Sequence, residues 1–255
     1  MQKTAALFLL LGLVGCGGSG DLGSNSATSG GFSSNPAPAS SNVSTRLVPP
    51  APPGAPGSVT SRVVLSRLEA EPIRPLGEPL TVSLRQGWNL FAMPFSPPTS
   101  LIVSQPANIL GLSRYDASAG QYVDVPFTAG SFTTANPFTG YWLYCSAATQ
   151  VTMDGVDQHQ TTLTAPLAVG WNLVGTPLSS DVPTGDLLYG GDTLPQAFAT
   201  FRLWPGVLGY DGSAYAELGH PPTVLRAGES QWIYAYQADN LRRLGDAIGA
   251  KHSSE

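Results

Sequence analysis

The sequence predicts an all-β protein: two homologous antiparallel modules in tandem, each a β-sandwich or partly open barrel, packed together behind a disordered N-terminal tether. Three observations carry this expectation. The charged fraction is 11%, against ~25% in ordinary soluble domains, which leaves few ionic side chains for the outer faces of a helical bundle. Gly 29 and Pro 23 punctuate the chain often, as short strands joined by turns require. One stretch is also written twice. Leu80 to Pro94 reads LTVSLRQGWNLFAMP and Leu163 to Pro177 reads LTAPLAVGWNLVGTP, identical at eight of fifteen positions with an offset of 83 (163 − 80).

The chain begins with the layout of an export signal over residues 1–15: Lys3, then an apolar run from Ala5 to Val14. The run ends in Leu13-Val14-Gly15-Cys16, which resembles the lipobox of bacterial lipoproteins. That resemblance implies cleavage before Cys16 and acylation of its thiol. Two or more acyl chains hold a protein stably on a bilayer where one does not. Gly17, and not Asp, follows the cysteine. By the same resemblance this favours the outer membrane over inner-membrane retention in a two-membrane cell. No run of about eighteen apolar residues occurs, so no transmembrane helix is expected.

Residues 16–60 read as the lipidated tether, Gly/Ser-rich at first and unable to offset the entropy of ordering. Its end, Val48 to Pro56 (VPPAPPGAP), is expected to be stiff and of polyproline type. Treated as flexible, the tether reaches roughly 35–40 Å and holds a folded body off the lipid surface.

The first module is expected over 61–157. Arg62 to Leu68 is β-branched and reads as a strand, and Leu80 to Leu84 alternates cleanly. Gly87 permits a bend, after which Trp88 and Leu90 point to one side. Pro94 and Pro97-Pro98 are expected to stop that strand. Ile109 to Asp116 and Gln121 to Phe127 form two strands around a turn, Gly140 to Cys145 (GYWLYC) an aromatic strand, and Gln150 to Met153 a last one before a turn at Asp154-Gly155.

The second module, 158–248, repeats this order. Tyr115-Asp116 matches Tyr210-Asp211, Tyr122 matches Tyr215, and Trp142-Leu143-Tyr144 matches Trp232-Ile233-Tyr234. The offset between copies changes only between expected strands, where insertions are tolerated, with about a dozen extra residues in Leu178 to Gly209. Leu241 to Ile248 reads as a strand or as one or two helical turns, and 249–255 as a frayed tail.

The succession of GWNL, Tyr-Asp and a GYW-type strand resembles a repeat module of bacterial surface and secreted proteins. The resemblance spans about residues 78–246. It departs at Ser230-Gln231-Trp232, which stands where the first copy has Gly140-Tyr141-Trp142.

Trp88, Leu90, Trp142, Trp171, Leu173 and Trp232 are read as the structural core of the two repeats, each filling the interior of its own copy. Asn89 and Asn172 fall opposite and are expected to hydrogen-bond neighbouring backbone. Asp116 and Asp211 are expected to initiate turns, not to act as paired acids. His159, His220 and His252 are not at metal-ligand spacing, and no nucleophile elbow occurs. Cys145, in an apolar strand, reads as a buried inert thiol. Neither a metal nor a cofactor is expected, and a net charge of −5 gives no footprint for nucleic acid. The expected function is therefore non-catalytic: an envelope or surface lipoprotein module in adhesion, scaffolding or assembly, held to the membrane by the lipid on Cys16. Its partner would be a protein or a polysaccharide at the cell surface. The alternative is a glycan-binding module using Tyr141, Trp204 or Tyr215.

Overall fold

The computed structural model describes residues 47–54, 56, 79–95, 98–132, 136–159, 161–219 and 221–245, all within one compact unit, Thr45–Glu255. The leader, Cys16, the expected strand Arg62 to Leu68, His220, His252 and the tail 249–255 lie outside the described residues.

The chain is all-β and its sheets are antiparallel. The first half holds β1 (Leu80–Leu84), β2 (Gly87–Ala92), β3 (Pro98–Val103), β4 (Ile109–Asp116), β5 (Gln121–Asp124), β6 (Gly140–Cys145) and β7 (Thr149–Gly155). The second holds β8 (Leu163–Leu167), β9 (Gly170–Gly175), β10 (Val182–Pro183), β11 (Leu187–Tyr189), β12 (Asp192–Thr193) and the helix α1 (Leu194–Ala199). It continues with β13 (Leu203–Tyr210), β14 (Tyr215–Gly219), β15 (Val224–Leu225), β16 (Ser230–Ala235) and β17 (Asp239–Arg243).

In the first half the sheets run β1-β7-β3 and β2-β6-β4-β5; in the second they run β8-β17-β11-β12 and β9-β16-β13-β14. Matching β3 with β11, the two orders are the same. β10 and β15 add a small two-stranded ribbon, and none of these sheets closes into a barrel.

Each half turns a corner between its sheets in the written-twice stretch. β1 and β2 belong to different sheets, as do β8 and β9. Gly87 and Gly170 make the corner with φ of +93° and +101°, a region that a side chain strains. The next-but-one residue holds it. Asn89 Oδ1 accepts from Arg85 N at 3.1 Å, while its Nδ2 donates to Arg85 O at 2.9 Å and Gly87 O at 3.0 Å. Asn172 repeats this with Ala168 N (2.9 Å), Ala168 O (2.8 Å) and Gly170 O (3.0 Å). Both amides are buried, so an unmet corner carbonyl or N–H there has no water to turn to. The expected backbone role of these asparagines is what the structure shows.

The layers follow from strands that are apolar on both faces. On β6, Tyr141, Leu143 and Cys145 enter a core shared with Leu80, Val151 and Met153 of the β1-β7-β3 sheet. On β16, Ile233 and Ala235 enter a second core with Leu163, Leu187 and Leu241 of the β8-β17-β11-β12 sheet. Trp142 and Trp232, on the opposite faces, meet in a third cluster between the two halves. The molecule is thus a stack of four sheets with an aromatic layer at its centre.

This corrects one expectation. Trp88, Leu90, Trp142, Trp171, Leu173 and Trp232 do not fill the interior of their own copies; they form the layer between the copies. The reason is alternation: in β2 the residues facing the first-half interior are Phe91 and its neighbours in phase, which puts Trp88 and Leu90 on the far side.

The backbone also stitches this layer. Ala92 N donates to Gly228 O at 2.9 Å, and Gly175 N, at the matching position, donates to Phe138 O at 2.8 Å. A Cβ on Gly140 would fall 2.9 Å from the Leu173 carbonyl carbon, so only glycine fits where β6 passes β9. Ser230 stands at the equivalent place in the second half. Its hydroxyl donates to Phe91 O and accepts from Tyr141 N at 3.1 Å. The departure from the GYW pattern is therefore a cross-half hydrogen bond.

Other differences from the expected elements have local causes. β2 ends at Ala92, before Pro94 as expected, but a further strand, β3, begins at Pro98; it is an edge strand, and its first residue needs no ladder donor. β7 runs through Asp154-Gly155, because Gly155 leaves room for Phe95, whose Cβ lies 2.7 Å from where a glycine Cβ would stand. β5 stops at Asp124, short of Phe127. Leu241 to Arg243 is strand, paired with both β8 and β11, and not helix. The extra residues of the second half build β12 and α1, the latter capped by Thr193 and Gln196 in a reciprocal capping box. With the described residues alone, the halves hold seven and ten strands.

Replacing either corner asparagine should cost about as much as the other. Asn89→Ala and Asn172→Ala are each expected to lower unfolding free energy by ~2–3 kcal/mol in urea titrations, since each leaves buried backbone groups unpaired. A loss under ~0.5 kcal/mol at both sites would refute the corner role.

Candidate functional site

The aromatic layer is built as pairs related by the repeat. Trp142 meets Tyr210 edge-on at 4.9 Å between ring centroids, and its counterpart Trp232 meets Tyr115 at 5.0 Å. Within each half, Trp88 lies 6.2 Å from Trp142 and Trp171 lies 6.4 Å from Trp232. Trp88 stacks edge-on with Tyr144 at 5.1 Å and Trp171 with Tyr234 at 5.2 Å. Tyr115–Tyr122 (5.2 Å) is matched by Tyr210–Tyr215 (5.5 Å). Such tilted and edge-to-face pairs are worth about 0.5–1.5 kcal/mol each beyond the area they bury. Crossed contacts of this kind, residue i on j and j on i, are the signature of a two-fold interface.

One difference breaks the symmetry. Trp204, in the second half only, packs on Trp171 at 5.8 Å, and Trp171 is buried where Trp88 is half-exposed.

This layer is open along one rim, and a proline-rich segment of the chain lies in it. The Tyr122 hydroxyl donates to Pro50 O at 2.6 Å, and the Tyr215 hydroxyl donates to Ala51 O at 2.6 Å. Trp171 Nε1 donates to Gly54 O at 2.9 Å. Pro49 and Pro53 are buried, and Leu47 packs over the bare α-carbon of Gly111. Tyr122 and Tyr215 occupy matching positions of the two repeats, so the segment crosses the junction between halves midway along its length. This corrects the reading of 16–60 as tether throughout: residues 47–54 are part of the folded body.

The physics is simple. Proline-rich backbone has few internal hydrogen bonds, so its carbonyls stay available, and its stiffness reduces the entropy lost on docking. A surface of aromatic rings carrying O–H and N–H donors suits such backbone.

Burial sets the chemistry of these tyrosines. It pushes Tyr122 and Tyr215 well above the ordinary phenol range, with the neighbouring Tyr122 hydroxyl reinforcing the shift at Tyr215. Both therefore stay protonated and act as donors. Tyr141 is pushed up to about 12, also by burial.

The three aromatics singled out for stacking a glycan fare differently. Tyr141 is 3% exposed and packs against Phe132 in the first-half core, so it cannot be a surface platform. Tyr215 is half-buried with its hydroxyl on Ala51. Trp204 is half-buried, edge-on to Trp171 and folded against the bare backbone of Gly206.

The carboxylates serve structure. Asp116 Oδ1 accepts from Ser118 N (3.1 Å), Ser118 Oγ (2.6 Å) and Ala119 N (3.1 Å); Asp211 Oδ1 does the same with Ser213 and Ala214 at 2.8 Å. These hydrogen bonds hold both carboxyls below the usual range. The expected turn role is what the geometry shows. Asp192 meets Arg202 at 3.0 Å, and Asp154 caps Gly155 N at 2.8 Å.

One cluster was not legible in advance. Asp157 Oδ2 accepts from Ser179 Oγ and from Ser179 N (3.1 Å) and lies 3.1 Å from His159 Nε2. A nucleophile relay needs the imidazole between acid and hydroxyl. Here the carboxylate stands between them, so the cluster ties the junction of the halves to the loop after β9. A separate hollow of about 300 Å³, with Leu101, Val103, Ile109 and Phe127 among its lining, has no ionisable group among the described residues of its wall.

The docked segment and the tyrosine donors escaped sequence reasoning because they meet across the molecule. The signal that could have found the segment is VPPAPPG itself, stiff, uncharged and placed just before the folded region. No family model, curated protein or solved structure matches the chain.

Two measurements follow. Because Tyr122, Tyr141 and Tyr215 bind their protons more tightly when folded, their contribution to stability should be constant up to pH ~10, the free phenol value, and be lost above it. Ultraviolet tyrosinate absorbance should show these three ionising together with loss of the near-ultraviolet dichroism; independent titration near pH ~10 would contradict their burial. Cys145, buried with its thiol raised to about 11, should resist a thiol reagent until denaturant is added.

Proposed function

We propose that the chain is a non-catalytic surface lipoprotein of the bacterial envelope, anchored by lipid on Cys16, whose folded body serves scaffolding or assembly. The observation that carries this reading is the aromatic layer. It is the place where donors converge on an extended backbone, which is interaction chemistry and not reaction chemistry. The carboxylates at Asp116, Asp211, Asp154 and Asp192 are engaged in turns, caps and ion pairs, in keeping with a body built to hold shape. The lipobox-like Leu13-Val14-Gly15-Cys16 supports the anchor. Among the described residues no helix is long and apolar enough to cross a membrane.

Glycan stacking has less support, because Tyr141 is enclosed and the rings of Tyr215 and Trp204 are engaged with other aromatics.

Metabolic labelling with a fatty acid tests the anchor. The wild-type chain should take up label and partition with membranes, and Cys16→Ser should lose the label and appear in the soluble fraction. Equal partitioning of the two, with no label on either, would remove the lipoprotein reading.

A further inference from the structure

We propose that the cleft between the two halves is a recognition site for proline-rich extended peptide, occupied in cis by residues 48–54, from which a proline-rich segment of a partner protein displaces them. The inference rests on the non-catalytic reading above and names the partner chemistry of the same site.

The cleft is built for backbone, not for a particular side chain. Three hydrogen bonds reach the segment, from Tyr122, Tyr215 and Trp171, and all end on carbonyl oxygens, at Pro50, Ala51 and Gly54. Of the segment's side chains, Pro49 and Pro53 are the buried ones. Any uncharged segment of the same proline spacing offers the same carbonyls and rings. Charge gives no alternative: the segment 47–54 carries none.

The donors are also pre-set without the segment. Tyr122 is held by Tyr115 and Tyr215 by Trp142, Tyr210 and Trp232, all of them inside the layer. A site whose donors are positioned by the body itself does not depend on its occupant for shape.

Displacement is physically accessible. The segment pairs with no strand among the described residues, and the next described strand, β1, begins at Leu80, 26 positions after Gly54 (80 − 54). A cis occupant on such a connection competes at an effective concentration on the order of millimolar. A partner therefore succeeds by tighter binding, by several linked copies of its motif, or by high local density on a shared membrane.

The test uses the full chain from Cys16 onward and a synthetic peptide copying residues 47–54 (LVPPAPPG). The five tryptophans all lie in the aromatic layer, so their emission reads the site. Pro49→Glu with Pro53→Glu places charge at the two buried positions of the segment and should empty the cleft, shifting emission to the red. That variant should then bind the peptide saturably, at least ~10-fold more tightly than wild type, because the cis competitor is gone. A control peptide with its prolines replaced by alanine should bind at least ~10-fold more weakly.

A second variant guards against misfolding. Tyr122→Phe with Tyr215→Phe removes two donors with little change in volume, and should speed proteolytic cleavage within 47–54. The proposal fails if the glutamate variant keeps wild-type emission, or if it stays folded yet takes up no peptide at millimolar concentration. It also fails if wild type forms dimers by exchanging segments, for then the occupant belongs to a second copy. These readouts need no lipid, so a negative result leaves the labelling experiment on Cys16 to stand or fall separately.

Discussion

A strand that is apolar on both faces needs a partner on each side, and this constraint organises the molecule. β6 reads Gly-Tyr-Trp-Leu-Tyr-Cys and β16 reads Ser-Gln-Trp-Ile-Tyr-Ala, and in both the tryptophan faces away from the core of its own half. An exposed layer holding Trp142, Trp171 and Trp232 would place a large apolar area in water, at a cost on the order of 25 cal/mol for each Å². Facing the two layers together removes it. The tilted ring pairs then select one arrangement, since Trp142 on Tyr210 and Tyr115 on Trp232 can form together only about a shared two-fold. Gly140 and Ser230 show how tight that arrangement is, one by having no side chain and the other by bonding across.

The corners and turns around this layer are local solutions reached twice. Asn89 and Asn172 hold the step from one sheet to the next with the same donors and acceptors, and Asp116 and Asp211 close the same three-point turn. Where the halves differ, the second has taken on more structure. β12 extends its outer sheet, α1 packs Leu194, Ala197 and Phe198 into its core, and Trp204 covers Trp171 on its inner sheet. The extra indole buries the second-half rim and leaves Trp88 the more open of the pair.

The docked proline-rich segment depends on the same layer. Tyr122 and Tyr215 come close enough to grip consecutive carbonyls only because their sheets are stacked face to face. A cleft of this origin belongs to neither half alone. Its shape depends on the pairing of the two halves.

What could be read from the chain alone were features carried by a few neighbouring residues. The all-β class follows from scarce charge and abundant glycine and proline, and the strands Leu80–Leu84, Ile109–Asp116 and Gly140–Cys145 follow from alternation. The asparagine corners and aspartate turns follow from side chains that bond within four residues of themselves. What alternation cannot say is which neighbour a face meets. It put Trp88 and Leu90 on one side of β2 correctly but could not tell the interior of a half from the space between halves. Tyr141, read as a free aromatic, lies on the opposite face from Trp142 and is buried in the first-half core. The grip of Tyr215 on Ala51 spans 164 residues, and nothing local to either one records it. Those decisions belonged to the tertiary structure, because they depend on how four sheets stack, and stacking is settled by the total apolar surface removed from water and not by any single stretch of chain.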